Sequence, residues 1–113
     1  MAIAAISRLD IGVFATAAIS QYAAVTAAGV IATAAGNAVG FAQVAAVSGE
    51  RVPVTALGTS IAIASAAIAV GAAVEVVGAA GQVVTKSAGI TIGRALTAAT
   101  TAGDQIEILI VPN

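Results

Sequence analysis

The sequence predicts an all-β protein: a small β-sandwich or barrel built from two tandem pseudo-repeats of short strands, with an N-terminal extension. Three observations lead there. The first is that the chain carries its own pattern twice. Val25 leads into Ala27-Ala28-Gly29, Ile31, Thr33, Val39-Gly40 and Ala42, and the copy closes with Gly49-Glu50 and alternating Val52 and Val54. Val77 leads in the same way into Ala79-Ala80-Gly81, Val83, Thr85, Ile92-Gly93 and Ala95, closing with Gly103-Asp104 and alternating Ile106 and Ile108. The spacing between copies grows from 52 residues (Val25 to Val77) to 54 (Gly49 to Gly103), in single steps within turn-like stretches where insertions cost little. Two such copies in a short chain are two units of one supersecondary structure sharing a core. The second observation is the punctuation. There are 12 glycines in 113 residues, and each interior Gly costs a helix about 1 kcal/mol relative to Ala, which opposes the helix preference of the abundant alanines. The third is alternation: Gln105-Ile106-Glu107-Ile108 sends polar and apolar side chains to opposite faces, as a half-buried strand requires.

The elements follow in order. Residues 1–18 lie outside the repeat, as an arm or an extra strand, and 19–113 form a single β domain with repeat halves at about 22–57 and 74–111. The first half has strands near 22–26, 30–34, 38–46 and 50–57. Ala27-Ala28-Gly29 makes the first short turn, with Gly supplying positive φ. In the last of these strands Pro53 cannot donate to a ladder, so the strand is an edge or its nitrogen faces outward. A linking stretch, 58–70, contains Ser60-Ile61-Ala62-Ile63-Ala64-Ser65 and fits either strand or short helix. The second half has strands near 73–77, 82–86, 90–98 and 105–111. Gly78-Ala79-Ala80-Gly81 makes its hairpin turn, and Ser48-Gly49-Glu50 and Ala102-Gly103-Asp104 punctuate the two copies alike.

Composition narrows function. The chain is 60% hydrophobic but only 3% aromatic, so its core is filled largely by alanine. Alanine buries little area at about 25 cal/mol per Å², and a small domain already buries a low fraction of its surface. Additional burial against other chains is the expected remedy. Four cations and five carboxylates, scattered along the chain, leave no basic face for nucleic acid. Histidine and cysteine are both absent, which removes disulfides, thiolate chemistry, Cys/His zinc sites and the usual general base. Gly36-Asn37-Ala38-Val39-Gly40 is Gly-rich but lacks the Lys of a phosphate cradle, and reads as a turn into a strand. Asp104 and Glu107 are close enough to suggest an acid/base pair or a hard-cation site, but fit turn and solvent-facing strand positions better. No enzyme, metal site or cofactor is expected.

Ile11 to Gly49 and Val52 to Val74 are free of charge, and each exceeds the roughly 20 residues that span a bilayer as a helix. Thr and Ser interrupt both runs, Gln and Asn the first as well, and strong inserters such as Leu and Phe are scarce. The second copy carries Glu75, Lys86, Arg94, Asp104 and Glu107, and equivalent halves share one structure, so no membrane partner is expected. Most of the predicted strands are also shorter than the roughly 9–11 residues of a transmembrane barrel strand. Arg8 followed at once by Asp10 is a poor match to a signal peptide.

The second copy resembles the C-terminal half of the small capsid cement or decoration (head-stabilising) proteins of tailed bacteriophages. The resemblance rests on Ala67, Ile68, Gly71, Val74, Gly81 and Val83, then Gly93, Ala95, Gly103, Asp104, Ile106 and Ile108, with Gly40 and Gly49-Glu50 equivalent in the first copy. It spans residues 19–111, although this chain is richer in Ala and poorer in charge than its relatives. What it implies is a β-rich structural virion protein on the outer surface of the capsid, bridging neighbouring major capsid protein subunits against internal DNA pressure. It also implies a homo-oligomer, a trimer at three-fold positions or a dimer. On this reading the segment outside the repeat is the capsid-facing arm. Leu9, Ile11, Val13 and Phe14 supply its apolar contacts, and Arg8 and Asp10 pair with charges on the shell. Two other readings stand beside it: a different self-assembling β-rich module, such as a tail component, and a small Ala/Gly-rich membrane protein.

Overall fold

The longest strand organises the molecule. Residues 51–63 run as one extended segment in which Val52, Val54, Ser60 and Ala62 all turn inward. The computed structural model describes residues 6–33, 38–78 and 80–111. Its strands are β1 (Ser7–Phe14), β2 (Ala24–Thr26), β3 (Ala38–Ala42), β4 (Arg51–Ile63), β5 (Ala73–Val77), β6 (Gln82–Thr85), β7 (Gly93–Ala95) and β8 (Gln105–Ile110). They pair antiparallel in the order β2-β3-β4-β8-β7-β5-β6, with β1 added against β4. The front half of β4 pairs with β1 and β3, and its rear half with β8. The two ends of this path meet where the Ala24 amide donates to the Gly81 carbonyl at 3.0 Å, so the sheet is nearly closed into a barrel. The fold is all-β: no helix occurs among the described residues, and hence none long and apolar enough to cross a membrane.

The tandem repeat is longer than the sequence marks it. β1 lies against the front half of β4, with Phe14 opposite Arg51 and Val13 opposite Val52. The rear half of β4 lies against β8 in the same way, with Ile63 opposite Gln105 and Ala62 opposite Ile106. Hydrogen bonds between the strands repeat too. Gly49 donates to Ala15 at 2.8 Å and Gly103 to Ala64 at 2.7 Å; Tyr22 donates to Ala42 and Gly71 to Ala95, both at 2.7 Å. The reciprocal Ile19–Ala46 bonds return as Ile68–Ala99. The first unit therefore begins at β1, and β4 serves both units, closing the first with its front half and opening the second with its rear half. β1 (Ser7–Phe14) is thus the first unit's opening strand.

The structural spacing is 49 residues before the first hairpin (Ala15 to Ala64, Ile19 to Ile68) and 53 after it (Ala42 to Ala95). The hairpins account for the difference. In the first, the Ala32 amide reaches the Ala24 carbonyl; in the second, the equivalent Ala73 carbonyl is reached only by Lys86. The longer second hairpin makes four ladder pairs, Val74–Thr85 to Val77–Gln82, where the first has one bridge, Val25–Ile31. Of the strand expected at 30–34, the described residues 30–33 form that bridge alone. The linking stretch resolves as strand through Ile63, followed by the Ile68 bridge.

One glycine position is fixed by contact. A Cβ on Gly40 would stand 2.2 Å from the Thr55 carbonyl oxygen, and one on its equivalent Gly93 would stand 2.8 Å from that of Leu109. The third strand of each unit thus crosses its fourth too closely for any side chain. Pro53 is accommodated by the same equivalence. Its counterpart Glu107 donates its N–H to the Thr97 hydroxyl at 3.0 Å rather than to a strand carbonyl, and at Pro53 no such donor is needed.

The interior has two clusters. One, within the first unit, contains Val13, Ala15, Ile19, Val25, Ala42, Ala46, Val52 and Val54. The larger joins the second unit's Ala62, Ile68, Val74, Val83, Ile106 and Ile108 to Ala24, Ala32, Ala38 and Phe41 of the first. Phe41 is the one aromatic residue in either cluster, so the interior is thin, as composition implies.

Candidate functional site

The carboxylates come first, because they are the groups from which chemistry would be built. Asp104 accepts from the Thr100 and Thr101 amides at 2.9 and 3.2 Å and from both threonine hydroxyls. These donors, the Thr100 amide foremost, hold its carboxyl below the usual range. Glu50, its equivalent, accepts from the Val47 amide at 2.9 Å. In each unit the acid ties off the turn before the last strand, where Gly49 (φ 97°) and Gly103 (φ 92°) take the left-handed conformation. Glu75 accepts from the amides of Ser87 and Gly89, 2.5 and 3.2 Å away, which also lowers its pKa and pins the loop after β6 onto β5. These acids are occupied by backbone donors. No three groups among the described residues gather to hold a metal ion. The Gly36-Asn37 segment lies outside the described residues.

The remaining candidates lie on β1, whose one strand partner among the described residues is β4. Alternation along β1 divides the six. Val13 is 6% exposed and belongs to the first unit's core, which removes it from any partner's reach. Ile11 is half-buried against that core. Arg8, Leu9, Asp10 and Phe14 are exposed, with Leu9 at 45% and Phe14 at 54%. Asp10 is anchored to its own sheet: it accepts from the Ser7 hydroxyl at 2.5 Å and the Thr55 hydroxyl at 2.7 Å, and these bonds hold its carboxyl below the usual range.

Two exposed residues join this surface that sequence reasoning missed. Leu57 faces Leu9 across the β1–β4 ladder, and Ile6 follows on, its carbonyl taking the Thr59 amide at 2.8 Å. The signal for Leu57 is the register, which a β-bulge between Ser7 and Asp10 displaces, so strand prediction alone could not place it beside Leu9. Ile6, Leu9 and Leu57 therefore form an apolar strip along an open edge, with Arg8 and Asp10 supplying charge of both signs and Phe14 at the far end of the strand. A strip of this kind, uncovered on an edge strand, has the flat apolar shape that suits a protein contact better than a small molecule.

Comparison with known proteins agrees with that character. A family model described as phage cement protein matches residues 5–110. No curated protein matches the chain in sequence. Among solved structures, the fold is similar to the head fiber N base of bacteriophage phi29. The two share a TM-score of 0.73 at 18% identity, over 91% of this chain and 93% of that one.

Proposed function

The chain belongs to the phage cement protein family and is a structural protein of the virion associated with the capsid; from that premise we propose that it binds the outside of the assembled shell and stabilises it by bridging major capsid protein subunits. The match to the family over residues 5–110, nearly the whole of both repeat units, is the observation that carries this reading. The apolar strip on β1 supports it, with Arg8, Leu9, Asp10 and Phe14 as the contact residues and Leu57 added to them. Ile11 and Val13 contribute indirectly by holding β1 on the sheet. The protein acts as a homo-oligomer, with the trimer of the family resemblance favoured over a dimer.

The mechanism is mass action. A subunit that buries surface on the assembled lattice, and less on free capsid subunits, stabilises the lattice by its differential affinity. An oligomer engaging several capsid subunits at once multiplies that preference through effective concentration. Co-sedimentation of the purified chain with assembled capsids, and separately with free capsid protein, tests this. Preferential binding to the shell, with a rise in the temperature at which the shell disrupts, is the expected result. Equal binding to free subunits would refute lattice stabilisation. Full binding by a Leu9→Asp, Phe14→Ala variant would move the contact away from β1.

A further inference from the structure

The two repeat units meet head to tail, and the meeting leaves half of the same interface uncovered at each end of the chain. On the first unit, the outward face of the sheet carries Phe41 and Thr55, opposite one another in the ladder, and both are covered at 1% and 0% exposure. Phe41 and Ala24 enter the second unit's core, and the Gln43 amide donates to the Ser60 hydroxyl of the second unit at 2.9 Å. On the second unit the equivalent face carries Arg94 and Leu109, again opposite one another, with Leu96 two residues beyond Arg94. Here nothing among the described residues covers it: Leu109 is 44% and Leu96 42% exposed.

The other side of the junction shows the same asymmetry in reverse. In the second unit, Ser60, Ile92 and Ile110 line the end that receives Phe41, and all are buried. The counterparts of Ser60, Ile92 and Ile110 in the first unit, Ile11, Val39 and Ala56, are half-buried. An isologous contact would have used the same patch on both units and left neither over. A heterologous contact leaves a free tail face on the second unit and a free head face on the first, which a further copy can fill.

From this we infer that the tail face of one chain (Leu96 and Leu109, with Arg94 where Phe41 stands in the first unit) docks on the head face of a second copy (Ile11, Val39, Ala56), in the orientation of the junction already made within one chain. One residue pair argues for the occupant specifically. Within the chain the junction contains Gln43 and Ser60, a hydrogen-bonded polar pair. Transposed between chains, the same two positions are Leu96 and Ile11. Both members change from polar to apolar together, which conserves a matched contact, as a change at one of them alone would not. The inference gives the homo-oligomer proposed above its interface. It does not depend on capsid binding, because it is tested in the absence of any shell.

The test is a mixing experiment read by light-scattering mass. Leu96→Glu removes the tail face alone and Ile11→Asp the head face alone. Each variant is expected to be a monomer at concentrations where the natural chain is an oligomer. Mixed in equal amounts, each still offers the face the other lacks, so they form a dimer capped at both ends that grows no further. Circular dichroism establishes that each variant is folded; should Ile11→Asp disturb the fold, Ala56→Glu on the same face takes its place. A monomeric mixture, or a natural chain that is monomeric at high concentration, would overturn the inference. Failure to decorate capsids with the mixing result intact would refute the capsid reading and leave this interface standing.

Discussion

Replacing Phe41 by alanine isolates the contact that joins the two units. The side chain is fully buried in the larger core cluster, where nearly all of its neighbours are alanine or β-branched residues with little capacity to move into the space left behind. An aromatic side chain buries about 150–250 Å², which at about 25 cal/mol per Å² is about 4–6 kcal/mol before relaxation. Measured Phe→Ala costs of about 3–5 kcal/mol fall in the same range. Unfolding entropy of about 2.1 cal/mol/K per residue gives about 0.24 kcal/mol/K for a chain of this length, so the melting temperature is expected to fall by about 12–20 °C. Phe14→Ala is the matched control: the same chemistry at a site 54% exposed, expected to cost under about 0.5 kcal/mol, or about 2 °C. Thermal denaturation followed by circular dichroism at one protein concentration reads both. A Phe41 variant within about 4 °C of the natural protein, or one no worse than the Phe14 variant, would mean that the junction between the units is not held by this residue.

Three further outcomes follow from the geometry. Gly40→Ala is expected to cost about 3 kcal/mol or to prevent folding, because its Cβ would meet a backbone carbonyl that cannot step aside. Gly49→Ala, with open space around it but φ of 97°, is expected to cost about 1–2 kcal/mol; urea denaturation ranks the two, and the reverse order would refute the contact argument. Asp10, Glu75 and Asp104 have folded-state pKa values below their ordinary ones. Their stabilisation is therefore complete above the unfolded-state values and is lost as pH falls from about 4 through the folded values. Urea midpoints should decline in that window, and an Asp104→Asn variant should decline less steeply, while an unchanged slope would show that the threonine donors do not favour the ionised form. Deleting residues 1–14 should abolish the native β signal in circular dichroism, because it removes β1 and with it Val13 and the Asp10–Thr55 bond; a folded truncated chain would return this segment to the role of a detachable arm.

The sequence disclosed those parts of the fold that depend on period and punctuation. β5 and β8 show alternation, and paired glycines mark the β5–β6 hairpin, so both lie close to where pattern places them. The repeat was visible wherever its two copies have equal length. It was lost upstream of Val25 because the second hairpin is longer, and because β1 and the rear half of β4 share little beyond inward-facing aliphatic positions: Val13 stands for Ala62 and Ile11 for Ser60. Tyr22 hid the correspondence further. It occupies a left-handed position (φ 66°) that its counterpart Gly71 (φ 86°) fills without strain, so the residue that would have signalled a turn is missing from the first copy. The contact surface proposed for β1 was legible only in part. The apolar residues of β1 were identified, but alternation separates only Val13 inside from Phe14 outside; the bulge between Ser7 and Asp10, known only once β1 is paired, is what leaves Leu9 outside.

An interior built from alanine makes the exposed aliphatic residues on these faces more than incidental. Ala24, Ala32, Ala62, Ala64 and Ala95 are essentially fully buried, yet each contributes a single methyl group to the core. Ile6, Leu9, Phe14, Leu57, Leu96 and Leu109, each able to contribute several times that area, remain on the surface. A chain stabilised for solitary existence would reverse this allocation, since burial of one Leu or Phe stabilises by about 1.5–3 kcal/mol. These six side chains sit on the two faces proposed for neighbours, the edge of β1 and the tail face of the second unit. Stability that depends on docking grows with occupancy, by about 2.7 kcal/mol when the partner stands at 100 times its dissociation constant. The melting temperature of the free chain should accordingly rise with protein concentration and rise again on assembled capsids; a value independent of both would show that the alanine core is sufficient by itself.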